Sequence, residues 1–128
     1  MAEFERHFTI QEARAELPAL RETFAQIRAL IAELERGQFE MERIQKLVSS
    51  NGHGSSNPEY GHLIGELQGL VDQVMQRGIQ IKDLNRGLVD FPHWRDGEEV
   101  LLCWLVEEED IDYWHTLEGG FAARMPLP

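Results

Sequence analysis

The hydrophobic period of this chain changes once, at Gly78, and that change limits the folds open to it. Before Gly78, apolar residues recur three and four positions apart, which is the spacing of one helix face. After Gly78, apolar and polar residues alternate in short runs bounded by turn residues, as they do in strands. A helical part followed by a sheet part predicts an α+β domain.

The helical part is predicted to be a long antiparallel helical hairpin, formed by residues 9–48 and 58–77. Thr9 opens a capping-box pattern, and Pro18 suits the first turn of a second helical segment. The Gly-, Ser- and Asn-rich residues 49–58 predict the connecting turn. At the rise of an α-helix the first arm, counted from Pro18, is about 45 Å long and the second about 30 Å. Part of the first arm therefore needs cover from the sheet or from another subunit.

The sheet part is predicted to be an antiparallel β-meander of about four strands over residues 79–116. Asp96-Gly97 is its strongest turn signal, because two-residue hairpin turns need positive φ. Residues 117–128 are expected to lie as a tail on the surface. The whole chain is expected to be a single domain.

The predicted turns also decide which side chains share a face of the sheet. A turn at Asp96-Gly97 places Asp90 opposite Cys103. A symmetric turn at residues 107–110 places Trp114 opposite Cys103, and it puts His115 on the other face, under the helices. We therefore expect neither a metal site nor a nucleophile–base pair built from Cys103 and His115.

The net charge of −11 is concentrated in the sheet part. Residues 83–118 hold 11 acidic residues against only Arg86 and Arg95. Such a field repels phosphate backbones and anionic lipid surfaces, which argues against nucleic-acid and membrane partners. A small cationic ligand, a divalent metal or a basic protein partner is easier to accommodate.

A single cysteine excludes an internal disulfide and favours a reducing, cytoplasmic location. The longest apolar run, residues 100–106, is far below the roughly 20 residues that cross a bilayer. We expect neither a membrane span nor a signal peptide.

Seven residues are candidates for ligand binding: Asp83, Arg86, Asp90, Cys103, Trp114, His115 and Arg124. Asp90 lies in an apolar strand, where a carboxylate is costly unless it is paired, so Arg86 or Arg124 is its expected partner. The charges form either a structural ion pair that fixes the tail or a ligand pocket. No catalytic residue, metal-ligand set or cofactor is assigned, because metal-site spacings and nucleophile or phosphate-loop motifs are missing from the sequence.

Four stretches, "HFTIQEARAELPALR", "KDLNRGLVDFP", "VLLCWL" and "YWHTLEGGFAAR", resemble a bacterial family known as domain of unknown function 2203. The resemblance covers nearly the whole chain and is most specific in the second half. The positions that match the family's pattern are Asp83, Arg86, Gly87, Asp90, Phe91, Pro92, Cys103, Trp104, Trp114, His115, Gly120, Phe121 and Arg124. It implies no activity and hence no residue roles. Many members have a basic residue where this chain has Leu105 and Val106, a departure that favours burial in an interface.

Two functions agree with these patterns. The first, which the sequence favours, is a non-enzymatic interaction module that forms a homodimer or binds another protein. Its contact surface would be the unmatched helix arm or the sheet face formed by Leu88, Leu101, Leu105 and Trp114. The alternative is a small-ligand- or metal-binding enzyme with a pocket at the sheet edge and C-terminal tail.

Overall fold

The computed structural model of the protein describes residues 2–47 and 58–128, and side chains for residues 2–37 and 61–128. It is an α+β fold in which helices pack on a five-stranded antiparallel sheet of order β1-β2-β3-β4-β5. The helices are α1 Ile10–Ala15, α2 Leu17–Leu47 and α3 Pro58–Gln76. The strands are β1 Gln80–Asp83, β2 Leu88–Arg95, β3 Glu98–Leu105, β4 Tyr113–Thr116 and β5 Met125–Pro126.

The sequence predicted the fold class but not the number of strands. The fifth strand, β5, comes from the predicted tail and pairs with Tyr113 and Trp114. Two residues are too few to show an alternating pattern, so the sequence carried no signal for it. Before β5, the tail forms a short 3-10 turn at Phe121–Ala123.

The helices begin where the sequence predicted. The Thr9 hydroxyl accepts the Glu12 N–H at 3.0 Å, and the Glu12 carboxylate accepts the Thr9 N–H at 2.9 Å, which completes the capping box. Helix α2 begins at Leu17, so Pro18 lies in its first turn. Helices α2 and α3 contact each other. The turn predicted between them lies, apart from Pro58, outside the described residues.

The turn between β2 and β3 confirms the first predicted register. Asp96 and Gly97 both have positive φ, 51° and 81°, as a two-residue primed turn requires. Asp90 then pairs with Cys103, and Phe91 pairs with Leu102.

The register between β3 and β4 differs from the prediction by one residue. Tyr113, not Trp114, pairs with Cys103, and His115 pairs with Leu101. A slip of one residue moves every side chain of a strand to the opposite face. The predicted separation of Cys103 and His115 is therefore wrong: both side chains lie on the face that the helices do not cover.

The slip arises because the acidic connection is not the symmetric turn that the prediction assumed. Glu108 folds back, and its carboxylate accepts the Leu105 N–H at 2.8 Å. Its carbonyl accepts the indole N–H of Trp104 at 3.0 Å. Ile111 then turns inward and is fully buried, so β4 begins only at Tyr113.

The main core lies between the helices and one face of the sheet. It comprises Phe8, Ala13, Leu17, Leu20, Phe24, Ile27, Val74, Ile79, Val89, Phe91, Leu102, Trp104 and Ile111. Trp114, half-buried, packs against this core and not beside Cys103 as predicted. The N-terminal segment joins the sheet through the Phe8 N–H, which donates to the Pro92 carbonyl at 2.7 Å.

The opposite face of the sheet is covered by the chain itself. Leu88, Cys103 and Leu105 form a second buried cluster, against which Phe121 of the tail packs. Leu101 is also buried, at 2 % exposure. The sheet face that the sequence offered for self-association is thus closed off within the chain, and its fourth member, Trp114, lies on the other side.

Candidate ligand site

A cavity of about 200 Å³ lies between the sheet face opposite the helices and residues 117–121. Its floor is made by side chains from all of the first four strands, and its wall by the segment that follows β4. The lining residues are Lys82, Leu88, Asp90, Leu101, Cys103, His115, Leu117, Glu118, Gly119, Gly120 and Phe121. Three of the predicted candidates, Asp90, Cys103 and His115, are brought together here.

Asp90 and His115 form a buried contact at the centre of this site. His115 Nε2 lies 3.0 Å from Asp90 Oδ2, and both side chains are almost fully buried. Burial raises the pKa of Asp90, although the charge and hydrogen bond of His115 act in the opposite direction. The predicted pairing of Asp90 with Arg86 or Arg124 is therefore wrong, because the slipped register brings a histidine within reach first.

The backbone fixes the orientation of the His115 ring. Nδ1 lies 2.7 Å from the Thr116 carbonyl oxygen, which can only accept, so Nδ1 carries a hydrogen and donates it. The Gly120 N–H also points at this nitrogen, at 3.2 Å, but donation to Nδ1 would need it unprotonated, so this longer contact gives way to the shorter bond to the Thr116 carbonyl. With Nδ1 protonated, Nε2 faces Asp90 as the atom that accepts a proton or binds a ligand.

Cys103 is a buried thiol and not a thiolate. Burial and then the negative charge of Asp90 raise its pKa to about 12, and the positive charge of Arg124 only partly offsets them. At neutral pH a nucleophilic role for free Cys103 is therefore disfavoured. The predicted proximity of Asp90 to Cys103 is confirmed by the strand pairing.

The three side chains converge closely enough to share one bound atom. One oxygen of Asp90, the sulfur of Cys103 and one nitrogen of His115 all lie within 4.8 Å of one another. Asp90 Oδ1 is buried and has no partner with hydrogen-bond geometry among the residues that the structure describes, although the Cys103 thiol lies near enough to Asp90 to lower the pKa of its carboxyl. Such an arrangement can exchange a proton between histidine and carboxylate, or hold a cation.

The remaining sequence candidates lie around the cavity or away from it. Asp83 has a structural role, because its carboxylate accepts the Arg86 N–H at 3.1 Å within the turn after β1. The Arg86 guanidinium lies 4.8 Å from the centre of the Phe121 ring. Trp114 lies on the helix side of the sheet, where the Arg95 guanidinium is 4.6 Å from a ring centre.

Arg124 anchors the wall of the cavity. Its Nη1 donates to both carboxylate oxygens of Glu108, at 2.9 and 3.0 Å. Its guanidinium also lies 4.0 Å from the ring centre of Tyr113 and 4.3 Å from that of Phe121. Arg124 thus ties the tail to the acidic connection before β4, which is the tail-fixing role that the sequence left open, with Glu108 as the partner.

Lys82 and the wall residues were not among the ligand-binding candidates that the sequence offered. Lys82 follows Ile81, which packs against the main core, so alternation along β1 turns Lys82 to the cavity side. That signal was present in the sequence. The wall residues 117–121 carry no periodic pattern, and only Leu117 and Phe121 among them have large apolar side chains.

Comparison with known proteins identifies the family. The family model described as "Uncharacterized conserved protein (DUF2203)" matches residues 6–127. Neither the curated proteins nor the solved structures include a match to this chain. Among the described residues, none of the helices has the length and apolarity to cross a membrane. Because the match spans nearly all of the sequence, this chain belongs to the DUF2203 family.

Proposed function

We propose that this protein binds a small polar ligand in the cavity between the sheet and residues 117–121. The observation that carries the proposal is the convergence of Asp90, Cys103 and His115 in the cavity floor. Buried polar groups are costly, and a folded protein usually satisfies them with partners inside the chain. Here Asp90 Oδ1 is left without a partner among the described residues. A ligand that supplies a donor would satisfy it.

The surroundings add charge and shape to this site. Lys82 lines the cavity, and Phe121 supplies an aromatic wall that lies close to two guanidinium groups. An apolar enclosure with a few convergent polar groups is the usual design of small-molecule sites. The proposal is one of binding, with no chemical step assigned. A cytoplasmic location suits it, because Cys103 is a free thiol.

A thermal-unfolding screen tests the proposal. Untagged protein is heated with and without a chelator in the presence of nucleotides, carboxylic acids and cationic metabolites. A compound that binds only the folded chain raises the midpoint in a saturable way. We expect Asp90→Asn to remove that rise, whereas Asp112→Asn, the same change at an exposed position just before β4, keeps it. A flat screen, or a rise that both variants keep, would contradict the proposal.

A second function, self-association, has independent support in the helices, which we take as the two arms of a hairpin. Helix α2 has 31 residues and α3 has 19, so one arm is longer than the other. A groove of about 450 Å³ between them includes Ala29, Leu30 and Leu70. Nearby on α3, Ile64 is 39 % exposed. A second copy of the chain would cover these apolar groups. They lie where both helices line the groove, whereas the sequence offered the unmatched part of the first arm.

Sedimentation over a wide range of protein concentrations tests this second proposal. We expect a dimer that Leu30→Glu dissociates, because a charge in the groove is costly once water is excluded. The matched variant Glu22→Leu, which lies on an exposed part of α2, tests whether any change in helix charge has the same effect. A chain that stays monomeric at every concentration would exclude the dimer.

A further inference from the structure

We propose that Asp90, Cys103 and His115 form a transition-metal site, and that zinc(II) is the metal that suits it best. The ligands are one carboxylate oxygen, the thiolate sulfur of Cys103 and Nε2 of His115. The inference rests on the proposed function, because the metal lies in the floor of the same cavity and is the first part of what that cavity binds.

The distances suit a four-coordinate ion. Zinc is held at about 2.0–2.2 Å by nitrogen and oxygen ligands and at about 2.3 Å by sulfur, so neighbouring ligand atoms in a tetrahedron lie about 3.3–3.7 Å apart. Asp90 Oδ2 and His115 Nε2 are 3.0 Å apart, and all three ligand atoms lie within 4.8 Å of one another. Small side-chain rotations bring them to the tetrahedral spacing.

The orientation of His115 is already that of a metal ligand. Metal-bound histidines usually donate their second ring N–H to a carbonyl or carboxylate, which fixes the tautomer and points the free nitrogen at the metal. His115 makes this bond from Nδ1 to the Thr116 carbonyl, at 2.7 Å. Nε2 is therefore left as the ligand atom.

Asp90 supplies the second, independent observation. Its side chain is 2 % exposed, and its Oδ1 has no hydrogen-bond partner among the described residues. Its Oδ2 contact with Nε2 requires a proton held between the two atoms. A metal ion replaces that proton, and it places positive charge beside the unpaired oxygen.

Charge balance also favours a dication. On binding, the Cys103 thiol proton and any proton between Asp90 and His115 pass to solvent, and the metal takes their place. One carboxylate and one thiolate then carry two negative charges, which a divalent ion neutralises in a buried site. A cation without thiolate affinity, such as Mg²⁺ or Ca²⁺, leaves the sulfur unused, whereas zinc accepts sulfur, nitrogen and oxygen ligands together.

Three protein ligands leave one position open towards the cavity. This is the coordination of zinc sites that bind a further ligand, whereas structural zinc sites are closed by four protein ligands. The cavity of about 200 Å³ gives that position room for water or for a donor atom of a small molecule.

Cobalt(II) is the spectroscopic probe for the experiment, since zinc itself is colourless. Full-length protein is stripped with a chelator, and cobalt(II) is titrated in under reducing conditions. We expect saturation at one ion per chain, with the visible bands of tetrahedral cobalt and a near-ultraviolet charge-transfer band from thiolate sulfur. Added zinc(II) should displace the cobalt and remove both features.

Variants assign the ligands. Cys103→Ser should abolish the charge-transfer band, and Asp90→Asn and His115→Gln should each weaken cobalt binding more than about tenfold, since even changes outside a ligand set cost about 10- to 100-fold. His62→Gln is the control, because His62 and Glu66 form an exposed pair on α3 that could hold a metal adventitiously. Circular dichroism identifies any variant that fails to fold. If a variant does not fold, a measurement on the folded wild type takes its place. Cys103 is treated with a thiol reagent with and without zinc(II), and we expect zinc to slow the reaction.

The outcomes separate this inference from the proposed function. Three results would each overturn the metal site. They are a charge-transfer band that survives Cys103→Ser, cobalt binding that does not saturate, and a thiol that zinc does not protect. If the ligand screen still finds an Asp90-dependent rise in chelator, the small-ligand function stands without the metal. If that screen is flat while cobalt binds as expected, the cavity is a metal site and the organic ligand is excluded.

Discussion

The role of a single residue in this protein depends on which side chains the strand register places beside it. Asp90 was recognisable from the sequence as a carboxylate that needs a partner, but the partner is His115, two strands away in the sheet. Breaking a buried pair leaves an uncompensated charge, which typically costs about 3–5 kcal/mol. The pair is therefore a constraint on stability as well as part of the proposed ligand site.

His115→Leu should lower the free energy of unfolding of metal-free protein by about 3 kcal/mol, since it leaves the Asp90 carboxyl buried alone. The double variant Asp90→Leu with His115→Leu should lose less than the two single variants added together. Urea denaturation in the presence of a chelator measures all four proteins. Additive losses would show that the two side chains do not interact.

Gly87 and Gly97 allow the cost of backbone strain to be measured apart from the cost of a steric clash. Both have positive φ, 71° and 81°. A Cβ at Gly87 would lie 2.6 Å from Val106 Cγ1, whereas a Cβ at Gly97 would meet nothing within 4 Å. We expect Gly97→Ala to cost about 1 kcal/mol from backbone strain alone and Gly87→Ala at least about 2 kcal/mol. Equal losses in chemical denaturation would rule out the steric contribution.

At the scale of elements, the sequence predicts a strand register only where the residues of the turn determine the geometry of that turn. Asp96-Gly97 allows essentially one hairpin, so the register of β2 against β3 could be predicted. The connection before β4 has no such constraint. Its path depends on Glu108 folding back onto Leu105, a contact that no local pattern reveals. The error of one residue there moved His115 to the wrong face and hid the site.

One carboxylate of the β2–β3 hairpin, that of Glu99, contacts the N-terminal segment at three points. Glu99 accepts the Glu3 N–H at 2.7 Å and the Phe4 N–H at 3.1 Å, and it lies 2.6 Å from His7 Nε2. Burial alone would raise the pKa of Glu99, but these hydrogen bonds and the charge of His7 outweigh it, so the pKa is lowered from its ordinary value of 4.5.

Because the pKa of Glu99 is lowered in the folded protein, its contribution to stability decreases as the pH falls. The contribution is fully present above pH 4.5, the value for the unfolded chain, and is lost as the pH falls through the lower folded value. We expect Glu99→Gln to flatten the acid limb of the stability curve, measured by urea denaturation across that window. Glu98→Gln, its exposed neighbour, should leave the slope as it is. An unchanged slope in Glu99→Gln would contradict the assignment.

At the scale of the molecule, the sheet is buried on both faces by parts of the chain far apart in sequence. Helices cover one face, and the other is covered by Phe121 and the residues around it. The first of these layers was predictable from the apolar stripes. The second was not, because a segment of five residues with one aromatic side chain has no period to detect.

Phe121→Ala should expose the sheet face opposite the helices without disrupting the main core. We expect Cys103, which is fully buried, to react faster with a thiol reagent under native conditions, because the wall above it is lost. Leu127→Ala is the matched control: Leu127 belongs to the same tail but packs on the main core. Faster labelling in Leu127→Ala to the same extent would mean general loosening and not local exposure.

The wall over the cavity is also the last part of the site to be synthesised. Until residues 117–121 dock on the sheet, Cys103 lacks the layer that buries it in the finished protein. Any metal ion or oxidant present at that time reaches it more easily than it reaches the finished protein. The compartment of synthesis therefore influences the chemical state in which the sulfur is enclosed.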